Sequence, residues 1–406
     1  MALRGKPIAH KTPYRQTFVA GSYRFALTKP GYHSWQRQLQ VVPSEVTLAD
    51  YVILVPQHIP TTTLQSFVSV GQMVVSPDHS RIALAAQAAD GTGIWSLDTG
   101  SNQLTRIYTP AVATPTSPAE TVQLLGWSTD NSHLLIRSQV GAKTSLVMVA
   151  ASGTDQPINI TDSLKTDATS LAFNPGNWQQ LYWQSPDGLR LIDLGNQTIS
   201  APLANHVAAY TFAGGRIVYV DAAKSPASLW VMNSDGTGKQ RLVAKLPVSQ
   251  GYAVTYASYL GVPEVAVVAE DPHTTTLYSN IYDTIVAQPL PAPTQQVQFS
   301  PSGRFLLQYD ASHLATYDLQ QAHTTAITPG IDTTTLGWFD DNHLEYNQAG
   351  HAVLSEFDNN YAVAVARDTG LPPFSSADGK TIYITTTATN ADGTTHTLLK
   401  ALRIRQ

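Results

Sequence analysis

The sequence predicts an all-β fold, and three observations support this prediction. Short runs rich in Val, Ile, Leu, Tyr and Thr alternate with Gly-, Pro- and Asp-containing turns at intervals of about 8–12 residues. No segment has the apolar periodicity of a helix of three turns or more. One pattern, a strand that runs into a small-residue turn followed by further strands, recurs eight times with 37 to 52 residues between turns. A four-stranded propeller blade needs about 40–45 residues, so the pattern predicts a β-propeller.

The turn after the first strand of each unit marks the eight repeats. The clearest units are the first three, and the weakest is the fifth, while the last is short. The sequence therefore predicts eight four-stranded blades, with seven left possible. The markers are Pro77, Thr129, Pro175, Gly214, Gly261, Pro301, Asp340 and Ala377.

The last unit lacks a clear fourth strand, and residues 60–68 precede the first unit. A strand from 60–68 could complete the last blade, which would join the two ends of the ring and remove an open sheet edge.

Three segments resemble the repeats of TolB-type, WD-like propellers, the PD-motif family. They are 76–83 (Ser-Pro-Asp-His-Ser-Arg-Ile-Ala), 300–305 (Ser-Pro-Ser-Gly-Arg-Phe) and 229–242, which contains Ser-Asp-Gly-Thr-Gly. Asp-Gly accepts the backbone conformation of a tight hairpin, and Ser-Pro-Asp fixes a turn between strands. The resemblance implies the propeller fold over residues 58–406 but leaves function open, because propellers serve as binding modules, scaffolds and enzymes.

Residues 21–35 predict two alternating strands around the turn at Pro30 and Gly31, with further strands at 38–42 and 46–54. The spacing of Gly21, Tyr23 and Gly31 resembles that of a PEGA domain, with Arg4 where that family usually has Asp and no strand before Gly5. The resemblance implies a PEGA-like β-sandwich over residues 1–57 that lacks its first strand, followed by a linker at 56–63. It also implies a bacterial surface protein, for which we expect a membrane anchor upstream of this chain.

Composition argues against several classes of function. The net charge of −5 comes from 24 basic and 29 acidic residues without a basic stripe, which argues against nucleic-acid binding. The chain has no cysteine, which excludes disulfides, thiolate metal sites and cysteine nucleophiles. No apolar run approaches the 18 or so residues of a transmembrane helix, so membrane contact is expected only through the upstream anchor.

The sequence contains no metal-binding motif, phosphate loop or nucleophile elbow, so we predict no catalytic residue, cofactor or metal site. Four histidines recur at the turns or second strands of the units, which indicates a shared structural role in hydrogen bonding. They are His79, His133, His313 and His343.

Ligands of a propeller are expected at the loops that join second to third strands and one blade to the next. Five residues in these loops are the candidate binding residues, and Asp90 and a Pro- and Thr-rich insertion at 109–121 lie there too. The five are Lys143, Lys224, Asp271, His273 and His351. Their mixed charge favours a protein or cell-wall partner over a small anion.

The sequence therefore predicts a non-enzymatic extracytoplasmic binding or scaffold protein of the bacterial cell envelope. Two alternatives stay open. One is an envelope enzyme that acts on glycan or peptide through loop carboxylates such as Glu270 and Asp271. The other is a structural surface spacer without a ligand.

Overall fold

Eight four-stranded antiparallel sheets and one smaller N-terminal sheet make up this computed structural model. The structure describes residues 2–3, 6–7, 11–238, 241–271, 273–291, 294–327 and 330–405. The eight sheets confirm the predicted eight-bladed β-propeller and exclude seven blades. Among the described residues, the single helix α1 (Ile160–Leu164) has five residues, and none is long and apolar enough to cross a membrane.

The N-terminal sheet has the strand order β2–β1–β3–β4. Its hairpin turns around Pro30 and Gly31 as predicted, but the second strand expected within 21–35 is present only at Trp35, where β4 begins. Its strands are β1 (Ala2–Leu3), β2 (Lys6–Pro7), β3 (Gly21–Leu27) and β4 (Trp35–Val41). The expected strand at 38–42 is the second half of β4. The described residues show one sheet here and no facing second sheet. Arg4 and Gly5 lie outside the described residues, but the short strand β1 precedes them and pairs with β2 and β3, where no strand was expected before Gly5.

The prediction of a strand at 46–54 is wrong, because this segment pairs with no strand among the described residues. It runs beside β4, where the Thr47 hydroxyl donates to the Gln40 carbonyl at 3.0 Å. Ile53 and Val55 at its end are buried against the propeller. The end of the segment thus packs on the propeller instead of completing a sandwich, whereas Val46 and Leu48 at its start are exposed.

The strand β5 (Thr61–Phe67) comes before the first blade. The strands of blades 1 to 4 follow in chain order, each blade pairing first to second, second to third and third to fourth. They are β6 (Ser69–Val75), β7 (Arg81–Ala88), β8 (Gly91–Asp98) and β9 (Gln103–Tyr108); β10 (Glu120–Trp127), β11 (His133–Val140), β12 (Lys143–Ala150) and β13 (Ile158–Asn159); β14 (Ala172–Asn174), β15 (Asn177–Ser185), β16 (Gly188–Asp193) and β17 (Thr198–Ile199), with β18 (Ala204–Asn205) added on β16; and β19 (Val207–Ala213), β20 (Arg216–Asp221), β21 (Ser228–Asn233) and β22 (Arg241–Lys245).

Blades 5 to 8 continue the same order, and the first strands of neighbouring blades contact one another, as β23 does β19 and β27. First strands therefore lie at the centre of the ring. The strands are β23 (Tyr252–Tyr259), β24 (Val262–Ala269), β25 (Thr274–Ser279) and β26 (Val286–Leu290); β27 (Gln296–Phe299), β28 (Phe305–Tyr309), β29 (Leu314–Asp318) and β30 (His323–Ala326); β31 (Asp332–Asp340), β32 (His343–Gln348), β33 (His351–Glu356) and β34 (Ala362–Arg367); and β35 (Phe374–Ser375), β36 (Thr381–Thr389) and β37 (Thr395–Arg403).

The ring closes through β5, which pairs antiparallel with β37 and supplies the fourth strand of blade 8. This confirms the strand expected at 60–68 and corrects the linker expected at 56–63, because 61–63 belong to this strand. Phe67 at its end is 1% exposed and packs in one apolar cluster with Trp95 and Leu399. One segment thus ties the start of the propeller to its end.

Apolar side chains fill the wedges between blades. Of the four tryptophans at repeat positions, Trp95, Trp127 and Trp338 are buried and Trp230 is only partly buried. The Trp127 indole donates to the Val74 carbonyl of blade 1 at 3.0 Å, which satisfies its polar atom inside the wedge. Blade 5, the weakest unit in sequence, is regular here because a tight turn at Leu260 and Gly261 replaces the Ser-Pro-Asp motif.

Blade 7 departs from this apolar pattern. Its second strand places His343, Glu345 and Asn347 on one side, all buried. The Glu345 Oε1 atom accepts hydrogen bonds from the Ser375 amide of blade 8 at 3.1 Å and from the Ser375 hydroxyl at 3.4 Å, whereas its Oε2 atom has no hydrogen-bond partner among the described residues. Burial raises the pKa of Glu345 well above its ordinary value of 4.5 and so favours the neutral carboxyl in the folded protein.

We expect the Glu345→Gln variant to be more stable than wild type at neutral pH and close to it at pH 4. A raised folded-state pKa favours folding fully below the unfolded value and loses this contribution as pH rises through the folded value. Above pH 4.5 the wild type should therefore lose about 1.4 kcal/mol of unfolding free energy per pH unit relative to the variant. Urea denaturation from pH 4 to 8 measures this difference. The exposed Glu270→Gln variant is the control, and its stability relative to wild type should not change with pH in this way. If the stability of Glu345→Gln relative to wild type is equally independent of pH, a neutral Glu345 is contradicted.

Candidate functional site

The N-terminal segment packs on blades 7 and 8 at one end of the propeller. Trp35 is 1% exposed, and its indole N–H donates to the Glu356 Oε1 atom at 2.5 Å. Arg37 donates to the Glu356 Oε2 atom at 2.6 Å and also pairs with Asp358. Ile53 and Val55 join an apolar cluster with propeller residues, which include Phe339, Leu354 and Ile382.

These contacts distinguish the two ends of the propeller. In an antiparallel meander, the turns after the first and third strands emerge at one end, and the turns after the second strands and the links between blades emerge at the other. We name the first end, with the turns at 300–304, 341–342 and 357–361, the docking face. The second end, with the loops at 89–90, 109–119, 141–142, 222–227, 270–271 and 349–350, is the loop face.

All the candidate binding residues lie at the loop face. Each one is in, or directly beside, a turn between the second and third strands of blade 2, 4, 5 or 7, and Asp90 has the same place in blade 1. The structure brings Asp271 and His273 together in one turn and distributes the others around the ring. Lys143 lines a cavity of the described structure.

That cavity has a volume of about 340 Å³ and opens at the loop face between blades 1 and 2. It lies above the apolar cluster that fills this wedge, which includes Val147. Its walls combine one carboxylate, one ammonium group, hydroxyls and an amide with small apolar side chains. The lining residues are Tyr108, Glu120, Ser138, Val140, Lys143, Ser145, Val147, Pro157 and Asn159.

Glu120 forms one wall of the cavity and is held by three donors. Its Oε1 atom accepts from the Tyr108 hydroxyl at 2.7 Å and the Ser138 hydroxyl at 2.5 Å. Its Oε2 atom accepts from the Ala111 amide at 2.8 Å. Burial, together with the hydrogen bond to Glu120, raises the pKa of Tyr108, so this hydroxyl stays protonated and donates.

Lys143 stands at the rim of the cavity. Its Nζ atom lies 2.8 Å from the Asp162 Oδ1 atom, and the two side chains are 63% and 52% exposed. Asp162 also accepts from the Asn159 amide at 2.9 Å, and Asn159 caps the start of α1 through its own Oδ1 atom. The short helix in the link from blade 2 to blade 3 therefore holds the acidic partner of Lys143.

The insertion at 109–121 borders this cavity. The Glu120 amide donates to the Ala111 carbonyl at 2.9 Å, and a backbone bridge joins Thr114 and Ser117. The insertion is thus folded back on the first residue of β10 and carries the exposed side chain of Val112.

Sequence reasoning missed Glu120, Tyr108 and a second cavity of about 300 Å³ between blades 3 and 4, which His206, Tyr219 and Asp221 line. The alternation of Glu120, Val122 and Leu124 was a usable signal, because it places the carboxylate on the side of β10 that faces blade 1.

The four recurring histidines make the structural contacts expected of them. The closest distances from their Nδ1 atoms are 2.9 Å to the Ser375 hydroxyl for His79, 2.7 Å to the Ser132 hydroxyl for His133, 2.8 Å to the Ser312 hydroxyl for His313 and 2.7 Å to the Asp340 carboxylate for His343. Among the residues that the structure describes, no three acidic or histidine side chains are grouped so that they could hold a metal ion.

The sequence matches no protein-family model and no curated protein. Solved structures are similar in fold. Dipeptidyl peptidase 4 of Porphyromonas gingivalis aligns with 84% of this chain and 60% of its own, at 11% identity and a TM-score of 0.53. Oligogalacturonate lyase of Vibrio parahaemolyticus aligns with 88% of this chain and 95% of its own, at 10% identity and a TM-score of 0.42. Hsv2 of Kluyveromyces lactis aligns with 84% of this chain and 98% of its own, at 12% identity and a TM-score of 0.45. At these identities the similarity shows the propeller fold alone.

Proposed function

We propose that this chain is a non-enzymatic recognition module of the bacterial cell envelope that binds a protein or cell-wall component through its loop face. The observation that carries the proposal is the place of the N-terminal segment, which packs on the docking face through Trp35 and Arg37. A PEGA-like module at that position would hold the propeller toward the cell surface and present the loop face outward.

The chemistry of the loop face supports a macromolecular partner. Its exposed charges have both signs, as with Lys224 and Asp271. Exposed apolar side chains lie among them in three of the links between blades; they are Val68, Val112 and Val248, at 50%, 78% and 66% exposure. Dispersed charges give a protein interface its specificity, and apolar side chains between them contribute burial.

The enzyme alternative would need a carboxylate that is ready to transfer a proton. Glu270 and Asp271, the adjacent pair in the loops, are both exposed. Glu120 lines a cavity, but its three hydrogen bonds hold it in place and occupy most of its acceptor sites. These features favour binding over catalysis.

Affinity capture from an envelope extract tests the proposal. The baits are the full chain, a loop-face variant with Val112→Asp, Lys224→Glu and Val248→Asp, and a docking-face control with Leu260→Asn. Asn accepts the positive φ of 50° at position 260, and Leu260 is 84% exposed, so the control should fold normally.

We expect one component to be captured by the full chain and by the control, and its recovery to fall at least tenfold with the loop-face variant. Each variant must keep the wild-type unfolding midpoint for this comparison. Equal capture by the loop-face variant would contradict the proposal. Release of shortened glycan or peptide would favour the enzyme, and capture of nothing would favour the spacer.

A further inference from the structure

We propose that the cavity between blades 1 and 2 binds a short zwitterionic peptide, with Glu120 receiving its ammonium end and Lys143 its carboxylate end. The inference rests on the proposed recognition function and names the ligand class for one part of the loop face. Three features of the cavity carry it: the row of side chains across the sheet, the hydrogen bonds of Glu120 and the weak pairing of Lys143.

The two charges lie in one row across the sheet. Glu120 is paired in register with Val140, and Val140 is paired with Lys143. Paired residues of neighbouring strands project to the same side, so all three side chains face the cavity. Two strand spacings separate the backbones of Glu120 and Lys143 by roughly 10 Å, with Val140 between them.

The Glu120 carboxylate is held in a fixed orientation, but not all of its hydrogen-bond acceptor sites are occupied. Its carboxylate accepts three hydrogen bonds, whereas an ionised carboxylate offers about four acceptor sites. The three donors fix the group in place and leave one acceptor position for an incoming ammonium group. A cation is the ligand group that this position accepts best.

Lys143 can change partner at little cost. Its ion pair with Asp162 is mostly exposed, and exposed pairs contribute little stability. The flexible lysine stem allows the ammonium group to turn toward a carboxylate in the cavity.

The cavity between these charges fits a peptide backbone. The Ser145 hydroxyl and the second N–H of the Asn159 side-chain amide offer donors, and the Ser138 oxygen can still accept beside its bond to Glu120. Val147 and Pro157 supply an apolar wall for small side chains. A volume of about 340 Å³ is at the lower end of the range for small-ligand sites, which indicates a short ligand. A neutral sugar would offer no opposite charge to Glu120 or Lys143, and a dianion would face the carboxylate of Glu120.

Isothermal titration calorimetry of the full chain with trialanine tests this inference. The ligand series is trialanine with free ends, N-acetyl-trialanine and trialanine amide. We expect the free peptide to bind about five- to tenfold more tightly than either blocked form, the change expected when one partly exposed charge contact is lost.

The variant Lys143→Met should weaken binding of the free peptide about five- to tenfold and leave binding of the amide unchanged, while Lys143→Arg should restore the preference for the free carboxylate. Lys11→Met, an exposed lysine of the N-terminal segment, is the matched control and should have no effect. Equal affinity for all three peptides, no binding at millimolar peptide or no effect of Lys143→Met would overturn the inference.

The two proposals fail separately in these experiments. If peptide binding is absent while the loop-face variant still loses capture, the ligand class is wrong and recognition stands. If the peptides bind as expected but capture is equal for all baits, the cavity is a peptide site and the wider recognition function is wrong.

Discussion

The variant Phe67→Ala should lower the free energy of unfolding by about 3–5 kcal/mol, which is the usual cost of removing a fully buried aromatic side chain. Phe67 is 1% exposed, and its ring centre lies 5.1 Å from that of Trp95. It ends β5, the strand that closes the ring on β37. The substitution thus leaves a cavity in the blade that joins both ends of the propeller.

Guanidinium denaturation followed by tryptophan fluorescence measures this loss. The matched control is Val68→Ala, one residue further on and 50% exposed, which should change stability by less than about 0.5 kcal/mol. A loss below about 1 kcal/mol for Phe67→Ala would show that closure through β5 does not hold the ring together.

The variant Arg37→Met should cost about 3–5 kcal/mol at neutral pH, because it leaves two acidic groups of blade 7 without their cation. Arg37 pairs with Glu356 and Asp358, whose side chains are 1% and 5% exposed. Burial raises the pKa of Glu356, and the hydrogen bond from Trp35 and the charge of Arg37 oppose this shift. Without Arg37, the pKa of Glu356 should therefore rise further.

The sign of the pH dependence follows from this shift. A carboxyl with a raised pKa in the folded state stabilises the fold at low pH and loses that contribution as pH rises. The deficit of Arg37→Met should therefore be large at pH 7 and smaller at pH 4, and a second change, Glu356→Gln, should recover part of it.

The control for this series is Arg24→Met, an exposed arginine of the neighbouring strand β3, for which we expect a change below about 0.5 kcal/mol. Urea denaturation at pH 4 and pH 7 provides the measurement. Equal and small effects of Arg37→Met and Arg24→Met would show that the N-terminal segment does not depend on this ion pair to pack on the propeller.

Local pattern was enough to predict most of the propeller. Turn motifs such as Ser76-Pro77-Asp78 need only a few consecutive residues, so the repeats could be counted from the sequence. Blade 5 gave a weak signal because Leu260 and Gly261 make its turn without that motif.

The errors arose where tertiary contacts decide the structure. Alternation at 46–54 predicts a strand, but Ile53 and Val55 pack against blades 7 and 8, which are about three hundred residues away in sequence. The candidate site shows the same limit. Lys143 could be predicted from its place after a turn, whereas the role of Glu120 depends on Tyr108 and Ser138, which the fold brings together from two blades.

Hydrogen–deuterium exchange of the full chain, alone and with the component captured from the envelope extract, tests the proposed recognition most directly. Binding through the loop face predicts slower exchange at 109–119, 141–142 and 222–227, with no change at 300–304 and 357–361. Slower exchange at the docking-face turns, with none at the loop face, would contradict the proposal.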